Sequence, residues 1–387
     1  MGRQAWAPLL DGALAGRAAR AVDDIADRLR ALPLADCSRA FHLMAGDLGR
    51  AVFLAYHASW RGDERSAEVA DAVLARAVEC ASACEVPAFY AGLAGMAWAL
   101  EHTDGLLGGD GEPDDGPVAA LDEILAADPA SLDFEWLSGV AGWAILALER
   151  PRAPASARLL ARIVDWMGGR GEPAPGGLRW RCPDWMPLAQ DRVRFPDGCY
   201  PLDPAHGAMG PIAALAGCAA AGVAAERALA LLEPSVGWLL AQRLPGSGAL
   251  FPRCAGEREG GLGWCAGDPG VAGVLHAAGV ALDRPDWREV AVEAARRTAR
   301  ELARAGQLDA GLCHGSAGLG HILGRIAHRS GDPEVAGAAR RAFAAALDAA
   351  PTTDASLLTG SAGIGLALLA AASDIEPGWD RSLYLSF

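Results

Sequence analysis

A Gly-x-x-Gly pair followed by an Ala- and Leu-rich segment recurs seven times along the 387-residue chain. The pairs begin at Gly46, Gly92, Gly139, Gly207, Gly267, Gly315 and Gly360. Successive pairs are 46, 47, 68, 60, 48 and 45 residues apart, so the two long intervals are consecutive. Because a fixed period of this size indicates a repeat architecture, it limits the possible folds more than any other feature of the chain.

Each repeat reads as two helices. Segments before the glycine pairs, such as 288–306, place apolar residues three and four apart, with Arg and Glu on the other face. Segments after the pairs, such as 363–373, are apolar all round, as a buried helix is. The pattern predicts an all-α fold with amphipathic outer helices and buried inner helices in one domain over residues 1–387. Periodicity alone does not choose between a closed ring and an open solenoid.

Two segments interrupt the regular array. Residues 167–205 and 245–263 are rich in Gly, Pro, Arg and Trp, and we expect long loop insertions there, between the third and fifth repeats. The first insertion is long enough for a short strand or a small subdomain. Loops of this length in a compact array are commonly functional.

Composition excludes several classes of protein. The formal charge is −14 and none of the 34 basic residues is Lys, which argues against a nucleic-acid-binding surface. The N-terminal segment has neither an export nor a lipidation pattern. The tract 356–373 is too short and too rich in Gly and Ala to span a membrane. Nine cysteines in such a chain predict reduced thiols in the cytoplasm rather than a disulfide framework.

Two of the seven turns carry metal-binding side chains at matching positions. Cys265 and Cys313 stand two residues before the turn glycine, and His314 stands one residue before it. If the repeats are related by a rotation, equivalent positions of neighbouring repeats converge at the same end. Two thiolates and one imidazole suit Zn²⁺, and three protein ligands leave a fourth position open, as in catalytic zinc sites.

Three further side chains near the turns are candidates for acid or base chemistry. His206 stands one residue before the fourth turn glycine, where its pKa near neutrality suits a general acid or base. Glu135 stands four residues before the third turn glycine, with Asp133 close by. Either carboxylate could orient His206, hold a cationic peptide group, or simply favour the start of a helix.

The remaining cysteines do not stand two residues before a turn glycine, as Cys265 and Cys313 do. They are Cys37, Cys80, Cys84, Cys182, Cys199, Cys218 and Cys254. Cys80 and Cys84 lie four residues apart on one predicted helix, where a packing role is expected. Cys182 and Cys199 lie in the long insertion.

Three motifs, taken together and in this order, resemble the LanC family of lanthipeptide cyclases. They are AHG-x-x-G at Ala205–Gly210, WC-x-G at Trp264–Gly267 and CHG at Cys313–Gly315. The resemblance runs from about Gly46 to the C-terminus. It implies an α/α toroid of seven inner and seven outer helices with zinc at one end. It also implies addition of peptide Cys thiols to dehydroalanine or dehydrobutyrine, which gives lanthionine or methyllanthionine rings.

Carried over residue by residue, the resemblance gives zinc ligands at Cys265, Cys313 and His314. It gives the proposed acid/base role to His206. The family usually has Asp where this chain has Glu135, so Asp133 competes with Glu135 for that role.

Two other positions depart from the family pattern. Ala266 replaces an aromatic residue that often follows the first ligand cysteine. Gly261 replaces an Arg that is often found four residues before that cysteine. Arg258, or Arg253, is a substitute from the second insertion.

The resemblance also implies a partner and a substrate. The substrate is a dehydrated precursor peptide with its leader, and a lanthipeptide dehydratase acts before the cyclase. One alternative is a thiol-alkylating zinc enzyme of the prenyltransferase type, against which the second cysteine ligand and the absence of Lys count. The other is a zinc-binding scaffold without catalytic activity, which the changes at Ala266 and Gly261 keep open.

Overall fold

The computed structural model describes residues 5–109, 114–128, 131–182, 193–246, 248–306, 308–349 and 351–387. These ranges contain fourteen α-helices: α1 Gly12–Arg30, α2 Leu48–Arg61, α3 Glu64–Glu79, α4 Leu93–Asp104, α5 Gly116–Ala127, α6 Val140–Glu149, α7 Pro154–Arg170, α8 Met209–Ala221, α9 Ala225–Ala241, α10 Asp268–Ala281, α11 Pro285–Leu302, α12 Ser316–Ser330, α13 Pro333–Asp348 and α14 Ser361–Ala372. Short 3₁₀ helices span Ala81–Ala83 and Gly378–Leu383. None of the described helices combines the length and apolar character that crossing a membrane requires.

The helices alternate along the chain between two kinds. Odd-numbered helices are amphipathic; α11, for example, buries Trp287, Ala291, Ala294 and Thr298 on one face. Even-numbered helices are buried on nearly all sides, and α14 buries every residue of 361–371. Each turn glycine is the N-cap of an even-numbered helix or stands one residue before that N-cap. The predicted pairing of outer and inner helices in an all-α fold is thus confirmed in the described ranges.

The chain divides into two compact units. The first unit consists of Met1–Asp114 and Leu302–Leu383. In it α14 packs against α1 and α2, α2 packs against α3, and α12 packs against α13 and α14. The N-terminal segment is held by the Trp6 indole, which donates a buried 2.8 Å hydrogen bond to the carbonyl of Ala370.

The second unit consists of Asp115–Glu301 and Tyr384–Phe387. Its central helix, α8, packs against α6, α7, α9 and α10, and α7 also packs against α5 and α6. The C-terminal residues join this unit because the Tyr384 hydroxyl donates a buried 2.7 Å hydrogen bond to the carbonyl of Ala141.

The insertions belong to the second unit. Helix α7 continues to Arg170, after which β1 (Glu172–Ala174) and β2 (Gly177–Arg179) form an antiparallel hairpin that packs against α9. A short strand was expected here. Residues 183–192 of the first insertion and residue 247 of the second lie outside the described residues. An isolated bridge between Pro201 and Cys254 joins the backbones of the two insertions.

The prediction of reduced thiols rather than a disulfide framework was wrong at one pair, because Cys37 and Cys80 form a disulfide. The prediction that Cys80 and Cys84 share a helix was also wrong, since α3 ends at Glu79 and a 3₁₀ turn separates the two cysteines. The Cα atoms of Cys37 and Cys80 are 5.0 Å apart, within the range that a disulfide spans. A separation of 43 residues between these cysteines carries no signal in the sequence alone.

Replacing Asp268 with Ala is expected to lower the free energy of unfolding by about 2 to 5 kcal/mol. The buried Asp268 carboxylate, in the first turn of α10, accepts hydrogen bonds from the backbone N–H groups of Leu250 and Phe251. The substitution leaves both buried donors without their acceptor. Urea unfolding measures the loss. Asp286→Ala is the matched control in the first turn of α11; its exposed ion pair is worth less than about 1 kcal/mol. Equal losses in the two variants would contradict this account.

Wild type and Asp268→Ala also test how the stability contributed by Asp268 depends on pH. Burial raises the pKa of Asp268 from its ordinary 3.8 to about 7, although the two N–H groups oppose the shift. The folded chain therefore holds this proton more tightly than the unfolded chain does. The stabilisation is complete below about pH 3.8 and is lost as the pH rises through about 7. We expect the difference in unfolding free energy between wild type and Asp268→Ala to decrease over that interval.

Candidate metal centre

Both candidate cysteine ligands lie on loops that fold back over the start of a buried helix. A Cβ atom on Gly270 would lie 2.0 Å from the carbonyl oxygen of Trp264. A Cβ atom on Gly318 would likewise lie 1.9 Å from the carbonyl oxygen of Leu312. Only glycine permits such close approaches, so the second glycine of each pair fixes the residue just before Cys265 or Cys313.

The loop that carries His314 is organised by Asp309. The Asp309 carboxylate accepts a 2.8 Å hydrogen bond from the backbone N–H of Gly311, and its other oxygen lies 3.3 Å from Nε2 of His314. The Asp309 carbonyl accepts hydrogen bonds from the backbone N–H and the hydroxyl of Ser316, at 2.8 and 3.0 Å. Metal-binding histidines usually have such a carboxylate on the ring nitrogen that does not bind the metal. Asp309 thus lies against the Nε2 side of the His314 ring.

The three predicted ligands come together. One ligand atom from each of Cys265, Cys313 and His314 lies within 4.8 Å of the others, and within the described ranges this is the one group of three or more His, Cys, Asp or Glu residues that meets this condition. Ligand atoms of a tetrahedral zinc with Zn–S bonds of about 2.3 Å are about 3.8 Å apart, a separation that falls within this limit. The cysteines are partly exposed and His314 is exposed, which leaves room for a further ligand.

His206 forms an ion pair with Glu135. Nδ1 of His206 lies 3.1 Å from Oε2 of Glu135, a carboxylate that is completely buried. The Glu135 carboxylate also accepts hydrogen bonds from the backbone N–H groups of Leu137, Ser138 and Gly139 and from the Ser138 hydroxyl. These donors lie at the start of α6 and hold the carboxylate in one place. Since Nδ1 faces Glu135, Nε2 of His206 is the nitrogen available to a substrate.

The surroundings of His206 favour its protonated form. Burial lowers the pKa of His206, but the Glu135 hydrogen bond and charge, together with the charges of Asp203 and Cys265, raise it above its ordinary 6.5. The buried Asp203 carboxylate accepts a 2.9 Å hydrogen bond from the backbone N–H of His206. Burial raises the pKa of Asp203, and the nearby charges of His206 and Arg253 oppose that rise.

The two other predicted residues have different positions. The Asp133 carboxylate accepts a 3.0 Å hydrogen bond from the backbone N–H of Glu135 instead of contacting the imidazole. Burial raises the pKa of Asp133 to about 6. Arg258 is exposed, and the contacts recorded for the described residues do not join it to His206 or Glu135. Its catalytic role stays a prediction.

Two residues near the site were missed by sequence reasoning. Ser138 binds the Glu135 carboxylate, and Asp309 lies against His314. A carboxylate five residues before the histidine of a CHG motif was a usable signal for Asp309. Ser138 carried no signal, because its role depends on the turn conformation.

The fold and this cluster define an all-helical protein with a candidate Cys₂His metal site. The chain belongs to the family of lanthionine synthetase C-like proteins, whose family model matches residues 39–384. Thirteen chains of solved structures match it, and nisin cyclase is among them at 16% sequence identity and a TM-score of 0.74. That match covers 96% of this chain and 97% of nisin cyclase, and it confirms the predicted fold class. No curated protein matches the chain in sequence.

Gly318→Ala and Gly324→Ala form a matched pair on α12 that tests the role of the turn glycines. At Gly318 the added methyl group would meet the carbonyl oxygen of Leu312 at 1.9 Å and displace Cys313. At Gly324 the nearest atom is a Leu9 methyl carbon at 3.4 Å, so alanine fits and favours the helix. We expect Gly318→Ala to lower zinc affinity at least tenfold, as measured by competition with a chromophoric chelator. Equal zinc affinity in both variants would show that the close approach does not position Cys313.

Proposed function

We propose that the chain is a zinc-dependent lanthipeptide cyclase. The observation that carries the proposal is the grouping of one ligand atom each from Cys265, Cys313 and His314 within 4.8 Å. Two sulfur donors and one imidazole suit zinc better than magnesium or calcium, which prefer oxygen ligands. Membership of the lanthionine synthetase C-like family supports the same activity.

The proposed reaction forms one carbon–sulfur bond within a peptide. The cysteine sulfur of the substrate bonds to the β-carbon of a dehydroalanine or dehydrobutyrine, and the α-carbon takes up a proton. When bound, zinc lowers the pKa of the incoming thiol, which otherwise lies near 8.5, and so makes the thiolate available at neutral pH. Cys265, Cys313 and His314 would hold this ion.

His206 is the proposed proton donor. Its raised pKa favours the protonated imidazole, and Nε2 can deliver that proton to the α-carbon of the substrate. Glu135 holds the ring through Nδ1 and stabilises the imidazolium, much as a buried carboxylate orients a catalytic histidine elsewhere. Asp203 holds the backbone of His206.

The substrate, partner and compartment follow from this chemistry. The substrate is a dehydrated precursor peptide that carries a leader, so a dehydratase must act first, and we propose that it associates with this chain. Similarity to nisin cyclase, a structural neighbour, is consistent with a peptide substrate. We assign the reaction to the cytoplasm, where zinc-binding thiols stay reduced. The two compact units are proposed to act as one cyclase domain.

Loss of a ligand is the direct test of this function. Wild type is expected to bind about one zinc ion per chain and to cyclise a dehydrated peptide, whereas Cys313→Ala loses both properties. Mass spectrometry of native protein measures the metal, and thiol alkylation of the peptide measures ring formation, which does not change mass by itself. Cys84→Ala, outside the cluster, is the matched control and keeps both. A wild type that binds zinc but leaves every peptide thiol open to alkylation would favour the scaffold; a metal-free wild type would exclude the zinc mechanism.

His206→Asn is expected to lower kcat by about 10² to 10⁴ without loss of zinc, because it removes the proton donor but no proposed ligand.

In Glu135→Gln the imidazole loses its counter-charge. The pKa of His206 then falls, so that the alkaline limb of the kcat/KM profile moves to lower pH. Glu123→Gln, an exposed position on α5, should leave the profile unchanged. An unshifted alkaline limb in Glu135→Gln would remove Glu135 from this role.

A further inference from the structure

Three buried cysteines outside the candidate metal centre lie on adjacent backbone segments of the second unit. Cys182 and Cys199 stand directly opposite each other, and each backbone N–H donates to the other residue's carbonyl, at 2.9 and 3.0 Å. Cys254 pairs with Pro201, and the N–H of the next residue donates to the carbonyl of Tyr200 at 2.9 Å. The three cysteines, called here the thiol cluster, are 1%, 8% and 5% exposed in chain order.

Cys199 is the central member of the thiol cluster. Its backbone pairs with that of Cys182, Pro201 two residues further along pairs with Cys254, and both neighbouring thiols shift the pKa of Cys199. The contact with Cys182 is the main reason why the pKa of Cys199 rises to about 12, and contact with Cys199 likewise raises the pKa of Cys254. The raised pKa values favour the neutral thiol at both Cys199 and Cys254.

The arrangement fits a disulfide better than a metal ion. The sulfurs of the thiol cluster are not among the ligand atoms that lie within 4.8 Å of one another in groups of three. A disulfide needs only one pair of sulfurs in contact. Directly opposite residues that exchange both backbone hydrogen bonds have Cα atoms about 5.5 Å apart, which is within the range that a disulfide spans.

We propose that the thiol cluster is a dithiol–disulfide site in which Cys199 forms a bond with either Cys182 or Cys254. The oxidant is a low-molecular-weight disulfide. The Cys199 thiolate attacks one sulfur of that disulfide and releases one thiol. A neighbouring cysteine thiolate then attacks the sulfur of Cys199 and releases the second thiol. Two protein S–H bonds are lost, one S–S bond forms, and the oxidant takes up two electrons and two protons.

The third cysteine makes the bond exchangeable. When Cys182 and Cys199 are joined, the Cys254 thiolate can attack the sulfur of Cys199 and release Cys182. The raised pKa values make these steps slow, because little thiolate is present at neutral pH. The site is thus a slowly exchanging disulfide, which lies within the first insertion when Cys199 is joined to Cys182 and links the two insertions when Cys199 is joined to Cys254.

The bond would act on the segment that carries His206. Cys199 lies four residues before Asp203, whose carboxylate holds the backbone N–H of His206. The N–H of Leu202 already donates a 3.0 Å hydrogen bond to the carbonyl of Arg253 in the second insertion. A Cys199–Cys254 bond adds a covalent tie at the same junction. This proposal does not depend on the proposed cyclase activity.

Peptide mapping tests the pairing. The full-length protein is incubated with oxidised glutathione, denatured in acid, alkylated and cut after Arg. Cys182, Cys199 and Cys254 then lie on separate peptides, 182–192, 195–227 and 254–258. In wild type we expect 195–227 to be joined to each of the others. Cys182→Ser keeps only the link to 254–258, Cys254→Ser keeps only the link to 182–192, and Cys199→Ser loses both.

Cys218 supplies the matched control, because it shares peptide 195–227 with Cys199 but is fully buried in α8. Cys218→Ser should keep both wild-type links. Three outcomes would overturn the proposal: no link in wild type while Cys37 and Cys80 are joined, a Cys182–Cys254 link in Cys199→Ser, or a second zinc ion per chain that Cys199→Ser loses. The wild-type map stands alone if a variant fails to fold.

Discussion

A backbone carbonyl that lies against the first turn of a buried helix is the contact on which both cysteine-bearing loops depend. It recurs six residues before the second glycine of four pairs, where an added Cβ would lie 1.6 to 2.0 Å from the oxygen. The glycines are Gly95, Gly270, Gly318 and Gly363. No side chain fits in that space, so the loop can fold over the helix only if the position is glycine. In these four repeats the turn is therefore set by a steric condition and not by the chemistry of any one loop.

The residue that follows this carbonyl determines which side chain each of these four repeats places at its turn. In two repeats it is Tyr90 or Leu358, both of which are buried in the core of the first unit. In the other two it is Cys265 or Cys313, which are partly exposed. One backbone geometry thus accommodates core packing and candidate metal ligands alike. This separation of scaffold from chemistry explains how a repeat can be regular in conformation while only some of its turns carry reactive groups.

The sequence was sufficient for the helix alternation and for the grouping of the candidate metal ligands, because both follow from position relative to the turn glycines. Position relative to a turn glycine predicted that Cys265, Cys313 and His314 converge. Phase did not choose between Asp133 and Glu135, since both lie in the same loop and the choice depends on which carboxylate faces inward. Asp309 was missed although it stands five residues before His314, because its contact with the imidazole depends on a local turn. Position relative to a turn glycine also does not predict contacts between distant loops, such as the disulfide and the thiol cluster.

Glu135 shows why such a loop position resists prediction and also why it suits its proposed role. One carboxylate oxygen accepts hydrogen bonds from Ser138 and Gly139, and the other reaches both Leu137 and His206. Moving the side chain would leave several backbone donors without an acceptor, at a cost of about 1 to 3 kcal/mol for each buried group. The imidazole is therefore oriented by a group that cannot easily rotate away. Proton delivery to a carbon atom depends on such fixed geometry, because small displacements of the donor reduce the rate steeply.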